Sequence, residues 1–431
     1  MILEVGDVYT TEVESPMNSV KRRRHDRIVL LGLLALLLAA ACGGSAHPGT
    51  PDAGDPGTPD AGRTYRIRRL ADAPLARTGH VAIGLADGSA LVMGGNSSEA
   101  INTPDSSSSQ RFDPVTEAFT AGPPLALSAL DREFTVAVPL RTGAFLLVGG
   151  GINSGTVLGV HPAVLSQRFD PVRGEFVRSG NLQRTRSGDV AATLLADGRV
   201  LVTGSSSPLL AIPAVPFTET FDPATGQWTI GEDLLVARSG HTATLLGDGR
   251  VLVAGGVVAT NDPSRPVDFT AIAEIYDPAT GKFQLTDHLQ EARGFHRATL
   301  LADGRVLLSG GLAMEAAFDF HALASSEIFD PVTAKFSSVG ALQIARAVHS
   351  AILLPEGRVL AVGGSSDDSL SGPAIPETEL FDAHTAKWTA GPRLDPAFAR
   401  VTATLLGNGK VLLYGGEGAQ GFPRPETFLF E

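Results

Sequence analysis

The chain has 431 residues, 43% hydrophobic and 19% charged, which is enough apolar material for one large folded domain or two ordinary ones and excludes a disordered chain. Its net charge of −12 arises from 34 basic against 46 acidic side chains, and no basic run lies outside the first 30 residues, so nucleic acid is excluded as a partner. A single cysteine excludes an internal disulfide framework, a cysteine-rich zinc site and an iron–sulfur cluster.

Residues 1–41 read as an export signal. The basic stretch Lys21 to Arg27 precedes an unbroken apolar run from Ile28 to Ala41, only 14 residues long and short of the roughly 20 that a spanning helix needs. Residues 1–16 are acidic and unlike the start of a signal, which makes Met17 a candidate initiator. Cys42 follows Ala39-Ala40-Ala41 directly, and this resembles the lipobox of bacterial lipoproteins, with Leu38 one place further upstream than usual. The resemblance implies lipidation of the Cys42 thiol, cleavage before it and a membrane contact through the lipid. Gly43 carries no inner-membrane retention signal, so an outer-membrane lipoprotein of the cell envelope, periplasmic or surface-exposed, is expected.

Residues 42–63 hold a near-perfect eight-residue repeat, Pro48-Gly49-Thr50-Pro51-Asp52-Ala53-Gly54-Asp55 and then Pro56 to Gly62, without a large apolar side chain. Such a segment cannot build a core and reads as a semi-extended tether.

From residue 64 to residue 431 one pattern recurs every 51 to 55 residues. Its clearest copy begins with Ala237-Arg238-Ser239-Gly240-His241 and Thr242-Ala243-Thr244-Leu245-Leu246, turns at Asp248-Gly249, and continues through Arg250-Val251-Leu252-Val253-Ala254-Gly255-Gly256. After a variable stretch come Glu274-Ile275-Tyr276-Asp277-Pro278-Ala279-Thr280-Gly281-Lys282-Phe283. The glycine that closes the second segment recurs at Gly94, Gly149, Gly204, Gly255, Gly310, Gly363 and Gly415, giving seven copies. Each copy offers four short β-branched or aromatic segments bounded by turn residues, so each predicts four strands, A to D, as in a propeller blade. The seventh copy ends after Glu426-Thr427-Phe428, matched to Glu219-Thr220-Phe221, and lacks its strand D. Thr64-Tyr65-Arg66-Ile67-Arg68 stands where that strand belongs and is expected to complete the last blade and remove an open edge.

With these motifs in order, the chain resembles the kelch-repeat β-propellers, including the galactose oxidase group, over nearly all of residues 64–431. The resemblance implies an all-β, seven-bladed propeller and no single activity. The copper–radical chemistry of galactose oxidase lacks its cysteine-crosslinked tyrosine here, because Cys42 sits in the lipobox and the repeats hold only Tyr65, Tyr276 and Tyr414. An epimerase acting on sialic acid is the better enzymatic comparison, and a passive assembly module is a third reading. No motif for a nucleophile, a phosphate or a cofactor occurs, and no metal site is expected.

The A–B and C–D turns lie on one side of the blades and the B–C connections and D–A junctions on the other. The B–C connections vary in length and content, which makes their side the expected binding face for a protein or glycan. Arginines recur at the D–A junctions: Arg77, Arg132, Arg238, Arg293 and Arg346 in register, with Arg186 and Arg400 displaced by one or two positions. They admit two readings, ties between strands through backbone carbonyls or a guanidinium ring for an acidic ligand. His80, His241, His296 and His349 follow the in-register arginines by three, with Thr135, Val190 and Val401 in the other copies. They too read as structural hydrogen-bonding groups or as ligand contacts.

Overall fold

The computed structural model describes residues 64–95, 108–126, 135–149, 151–153, 160–186, 190–204, 214–316, 319–366, 373–418 and 422–431, and every regular element within them is a β-strand. The expected signal, Cys42, the tether and Arg132 lie outside the described residues. The strands form seven four-stranded antiparallel blades, one for each copy of the repeat.

Blade 4 shows how the sequence builds the unit. Its strands A to D are Thr242–Leu245, Val251–Ala254, Ala273–Asp277 and Lys282–Leu285, hydrogen-bonded in that order. Strand B is buried at every position, because a blade is sandwiched between two neighbours and its inner strands have no solvent face. In the A–B turn, Asp248 accepts the Arg250 N–H at 3.0 Å and its Nε at 2.8 Å. In the C–D turn, Asp277 accepts the Ala279 N–H at 2.9 Å, and the Gly281 N–H donates to the Asp277 carbonyl at 2.8 Å. These local bonds explain why the aspartates recur at both turns. The repeated aromatics are cross-strand pairs between strands C and D: Tyr276 with Phe283 at 4.9 Å, Phe329 with Phe336 at 4.8 Å and Phe381 with Trp388 at 5.2 Å between ring centroids.

The innermost strands follow one another around the axis, and Val81–Gly84 of blade 1 packs beside Thr402–Leu405 of blade 7. Closure comes from Ile67–Arg69, which pairs antiparallel with Thr427–Phe430 and places Ile67 opposite Phe430. Backbone bonds between Arg66 and Glu431 extend the pairing, and Tyr65 stacks on Phe430 at 5.2 Å. The strand expected from Thr64 to Arg68 therefore completes blade 7, centred slightly later in the chain. The register of the last blade differs from the motif match. Val411 opposes Phe430 just as Val251 opposes Tyr276, so Phe430 is the repeat aromatic and Phe428, not Glu426, occupies the place of Glu274. A two-residue shift keeps the same face inward and buries both phenylalanines, each 2% exposed, where the motif register would carry Phe430 beyond the sheet.

Candidate binding face

The described arginines of the D–A junctions, Arg77, Arg186, Arg238, Arg293, Arg346 and Arg400, are between 0% and 5% exposed. Arg186, Arg238, Arg293 and Arg346 form ion pairs at 2.7–2.8 Å with Glu219, Glu274, Glu327 and Glu379, each on strand C of the blade that follows the junction. Each glutamate also caps backbone: Glu274 accepts the N–H groups of Leu235 at 2.8 Å and Val236 at 3.1 Å. The remaining guanidinium contacts pin the base of the B–C connection. Arg238 Nη1 donates to the carbonyls of Gly255 at 2.8 Å and Ile272 at 2.7 Å, the residues at which that connection leaves and re-enters the blade. Burial pulls these four guanidinium groups down from their ordinary range, and the adjacent glutamates oppose that fall. Of the two readings of the register, the geometry carries the tie. A displacement of one position does not break it, since Arg186 still reaches Glu219.

Variants of the tie occur in the outer copies. In blade 1 the neutral Gln110 stands opposite Val92, in the place of the glutamate, and Arg77 donates to the Gly94 carbonyl at 2.5 Å. In blade 7 Phe398 stands at the arginine position and packs on Phe428 at 5.9 Å, while Arg400 lies 3.5 Å from Glu417 in the B–C connection.

The four histidines occupy separate blade interfaces. Nε2 of His80, His241, His296 and His349 lies 2.8–3.1 Å from the hydroxyls of Thr402, Thr203, Thr242 and Ser309 on the preceding blade. Burial, reinforced by the nearby arginines, lowers His80 and His241 to about 3 and holds His296 and His349 well below the ordinary histidine value. They are neutral spacers between blades. The recurrent glycine follows from this packing: a Cβ on Gly255, at φ 63°, would lie 2.4 Å from the Arg293 carbonyl oxygen and 2.8 Å from His296 Cε1.

On the same side, three connections expected as loops fold into β-hairpins; in blade 2 Gly151–Asn153 pairs with the start of Val160–Asp170. In blade 4 Val257–Ala259 pairs with Val267–Phe269, and in blade 5 Leu312–Ala316 pairs with Asp319–Ala322. The signal was present: the apolar run Val257-Val258-Ala259 and the alternating Val267-Asp268-Phe269 flank the turn residues Asn261-Asp262-Pro263-Ser264, and Asp262 accepts the Ser264 N–H at 2.8 Å. The hairpins of blades 4 and 5 share an apolar cluster, including Phe269, Met314 and Phe320, with Phe295 and Val348 of the following junctions. Phe295 and Val348 hold left-handed backbone angles of 54° and 49°, uncommon for such side chains, and this aims both into the cluster.

The repeat, the closing strand and the blade geometry together define a seven-bladed β-propeller. No protein-family model matches the chain. It is 24% identical over 261 residues to Kelch-like protein 36 of Mus musculus, covering 61% of this chain and 40% of that protein. It is 22% identical over 267 residues to Kelch-like protein 15 of Danio rerio, covering 58% of this chain and 42% of that one, so the chain spans about two fifths of the length of these relatives. Among solved structures, a fungal alcohol oxidase of the AA5 family in complex with copper matches with a TM-score of 0.62 at 15% identity, over 85% of this chain and 75% of that one. The structure of YjhT matches with a TM-score of 0.55 at 14% identity, over 74% of this chain and 99% of that one. The chain is a kelch-repeat β-propeller. A copper site like that of the oxidase does not fit the described residues: the histidines lie in separate interfaces, and no three His, Cys, Asp or Glu converge.

Proposed function

We propose that this propeller is a lipid-anchored protein-binding module of the cell envelope that presents its B–C face away from the membrane. The observation that carries the reading is the asymmetry of the two faces: uniform hairpin turns on one, and on the other arginine-pinned connections that differ from blade to blade and form hairpins in blades 2, 4 and 5. A rigid scaffold with variable connections on one side is the arrangement of a recognition surface, and the likeness to kelch-like proteins supports it. A glycan ligand held by open guanidinium groups loses its main support, since the described junction arginines are buried.

The orientation follows from the closing strand. Ile67 pairs with Phe430 at the end of strand C that leads to the C–D side, so the described chain enters the propeller from the face opposite the B–C connections. An anchor at Cys42 then turns the variable face outward. The test uses lipidated full-length protein in nanodiscs containing a headgroup quencher, with a fluorophore on Ala279→Cys or on Asp262→Cys. Stronger quenching at position 279 is expected, and equal or reversed quenching would reject the orientation. Cys42→Ser should move the protein from the membrane to the soluble fraction, and an unchanged partition would reject lipidation.

A further inference from the structure

The two hairpins of blades 4 and 5 enclose a cleft of about 350 Å³, at the small end of the range of ligand sites and suited to a single side chain. Its wall is apolar, made by Phe269, Ala292, Ala313 and Met314, and long enough to cover a methylene stem. Its polar rim is acidic, with Asp268, Glu291 and Glu315 against Arg265 and His321. Arg265 is already engaged: it pairs with Asp268 at 2.7 Å and donates to the carbonyls of Met314 at 2.9 Å and Glu315 at 3.1 Å, fastening one hairpin to the other. The Glu291 carboxylate is 41% exposed and accepts the Ser325 hydroxyl through the oxygen that also lies 3.7 Å from Arg293 Nη2, and Glu315 is exposed.

We infer that this cleft accepts a basic side chain, an arginine or lysine, projecting from a partner protein. The apolar wall takes the stem and the Glu291 and Glu315 carboxylates take the charged head, an arrangement that favours a cation and rejects an acidic residue. The inference rests on the protein-binding reading of the B–C face and narrows it to blades 4 and 5.

The chain has four methionines, so labelled methionine methyl groups give a sparse spectrum in which Met314 reports the cleft and buried Met93 reports the fold. Full-length protein in detergent is titrated with Nα-acetyl-arginine amide, Nα-acetyl-lysine amide and Nα-acetyl-glutamate amide. The expected result is a saturable Met314 shift with the basic amides only, weakened at least tenfold in Glu291→Gln/Glu315→Gln, with Met93 unmoved throughout. No shift, an equal shift with the glutamate amide, or a shift that survives the double substitution overturns the inference. Calcium chloride run in parallel gives a further outcome: saturation by calcium without response to the amides would make the cleft a cation site and equally overturn it. Photo-crosslinkers at Thr260 and Ala374 on membranes separate the two readings. Protein adducts at either position with a silent cleft leave the binding face standing and remove only the cleft, whereas no adducts at either reject the binding face itself.

Discussion

Blade 4 and blade 7 solve one packing problem with opposite chemistry. In blade 4 the junction carries Leu235, Val236 and Arg238, and Glu274 satisfies all three by accepting two backbone N–H groups and the guanidinium. In blade 7 the corresponding residues are Asp395, Pro396 and Phe398, and Phe428 replaces the glutamate. Proline has no N–H to satisfy, so the acceptor, the donor and one of the capped amides are lost together. A buried ion pair and a well-packed apolar pair are interchangeable when the whole constellation changes, whereas loss of one half alone is costly unless neutral acceptors replace it, as the Gly94 and Ser108 carbonyls do for Arg77 in blade 1. The difference also separates stability from function, because the polar version pins the B–C connection through the Gly255 and Ile272 carbonyls.

The largest effect that this comparison predicts comes from breaking the polar version halfway. Glu274→Ala leaves Arg238 buried without its carboxylate and should cost about 3–5 kcal/mol, read from urea or guanidinium unfolding. A loss below about 1 kcal/mol would mean that the tie contributes little. Replacing both partners, Arg238→Phe with Glu274→Phe, should cost at least about 1 kcal/mol less than the single change, because only the two amides are then left without an acceptor. A double variant as unstable as Glu274→Ala would break the equivalence of the two blades.

The fold was legible because the repeat states it seven times. Glycines, turn aspartates and paired aromatics each recur for a local reason, a close approach to the next blade, an N–H to accept or a cross-strand ring. The arginines were legible as a register but not in their role, since a guanidinium at a junction reads equally as a tie or as a ligand contact until its partner is known. That partner, the glutamate two residues before the aromatic in blades 3 to 6, stands in the motif at Glu219 and Glu274, yet its distance in sequence from the arginine hides the pairing. Two errors share another cause: motif matching follows residue identity, whereas register follows burial. Glu426-Thr427-Phe428 imitated Glu219-Thr220-Phe221, but the sheet chose the alignment that buries Phe428 and Phe430. Likewise Val257 to Phe269 looked like a loop because its length varies between copies, although two short segments rich in valine flank a turn sequence, as in a hairpin.

The histidine interfaces extend the comparison to pH. Blade 7 carries Val401 where blade 4 carries His241, and only the histidine binds a proton in acid. In the unfolded chain a histidine titrates near its ordinary 6.5, whereas His80 and His241 titrate at about 3 in the fold. The unfolded state therefore takes up protons first as pH falls. The contribution of His80 and His241 is complete above about 6.5 and is lost progressively down to about 3, and His296 and His349, held well below the ordinary value by burial, add to the same loss in acid. The midpoint of urea unfolding should decline over that window. His349→Val, which copies blade 7, should make the decline shallower than in the parent even where it lowers stability at pH 7. Parallel curves for parent and variant would show that the histidine does not govern the acid response.

The smallest effect is expected on the opposite face. Val172 and Val332 are 93% and 91% exposed at the tips of C–D turns whose geometry is fixed by Asp170 and Asp330, not by the valines. Val172→Lys should therefore change stability by no more than about 0.5 kcal/mol and leave any Met314 response to basic amides unaltered. Because the chain enters the propeller from this face, the same substitution also asks whether the turns do anything beyond reversing the chain. If the turn face is passive, membrane partition set by the lipid should be indifferent to it. A measurable change in partition would make the C–D turns part of the membrane contact and end the division of the molecule into one working face and one structural face.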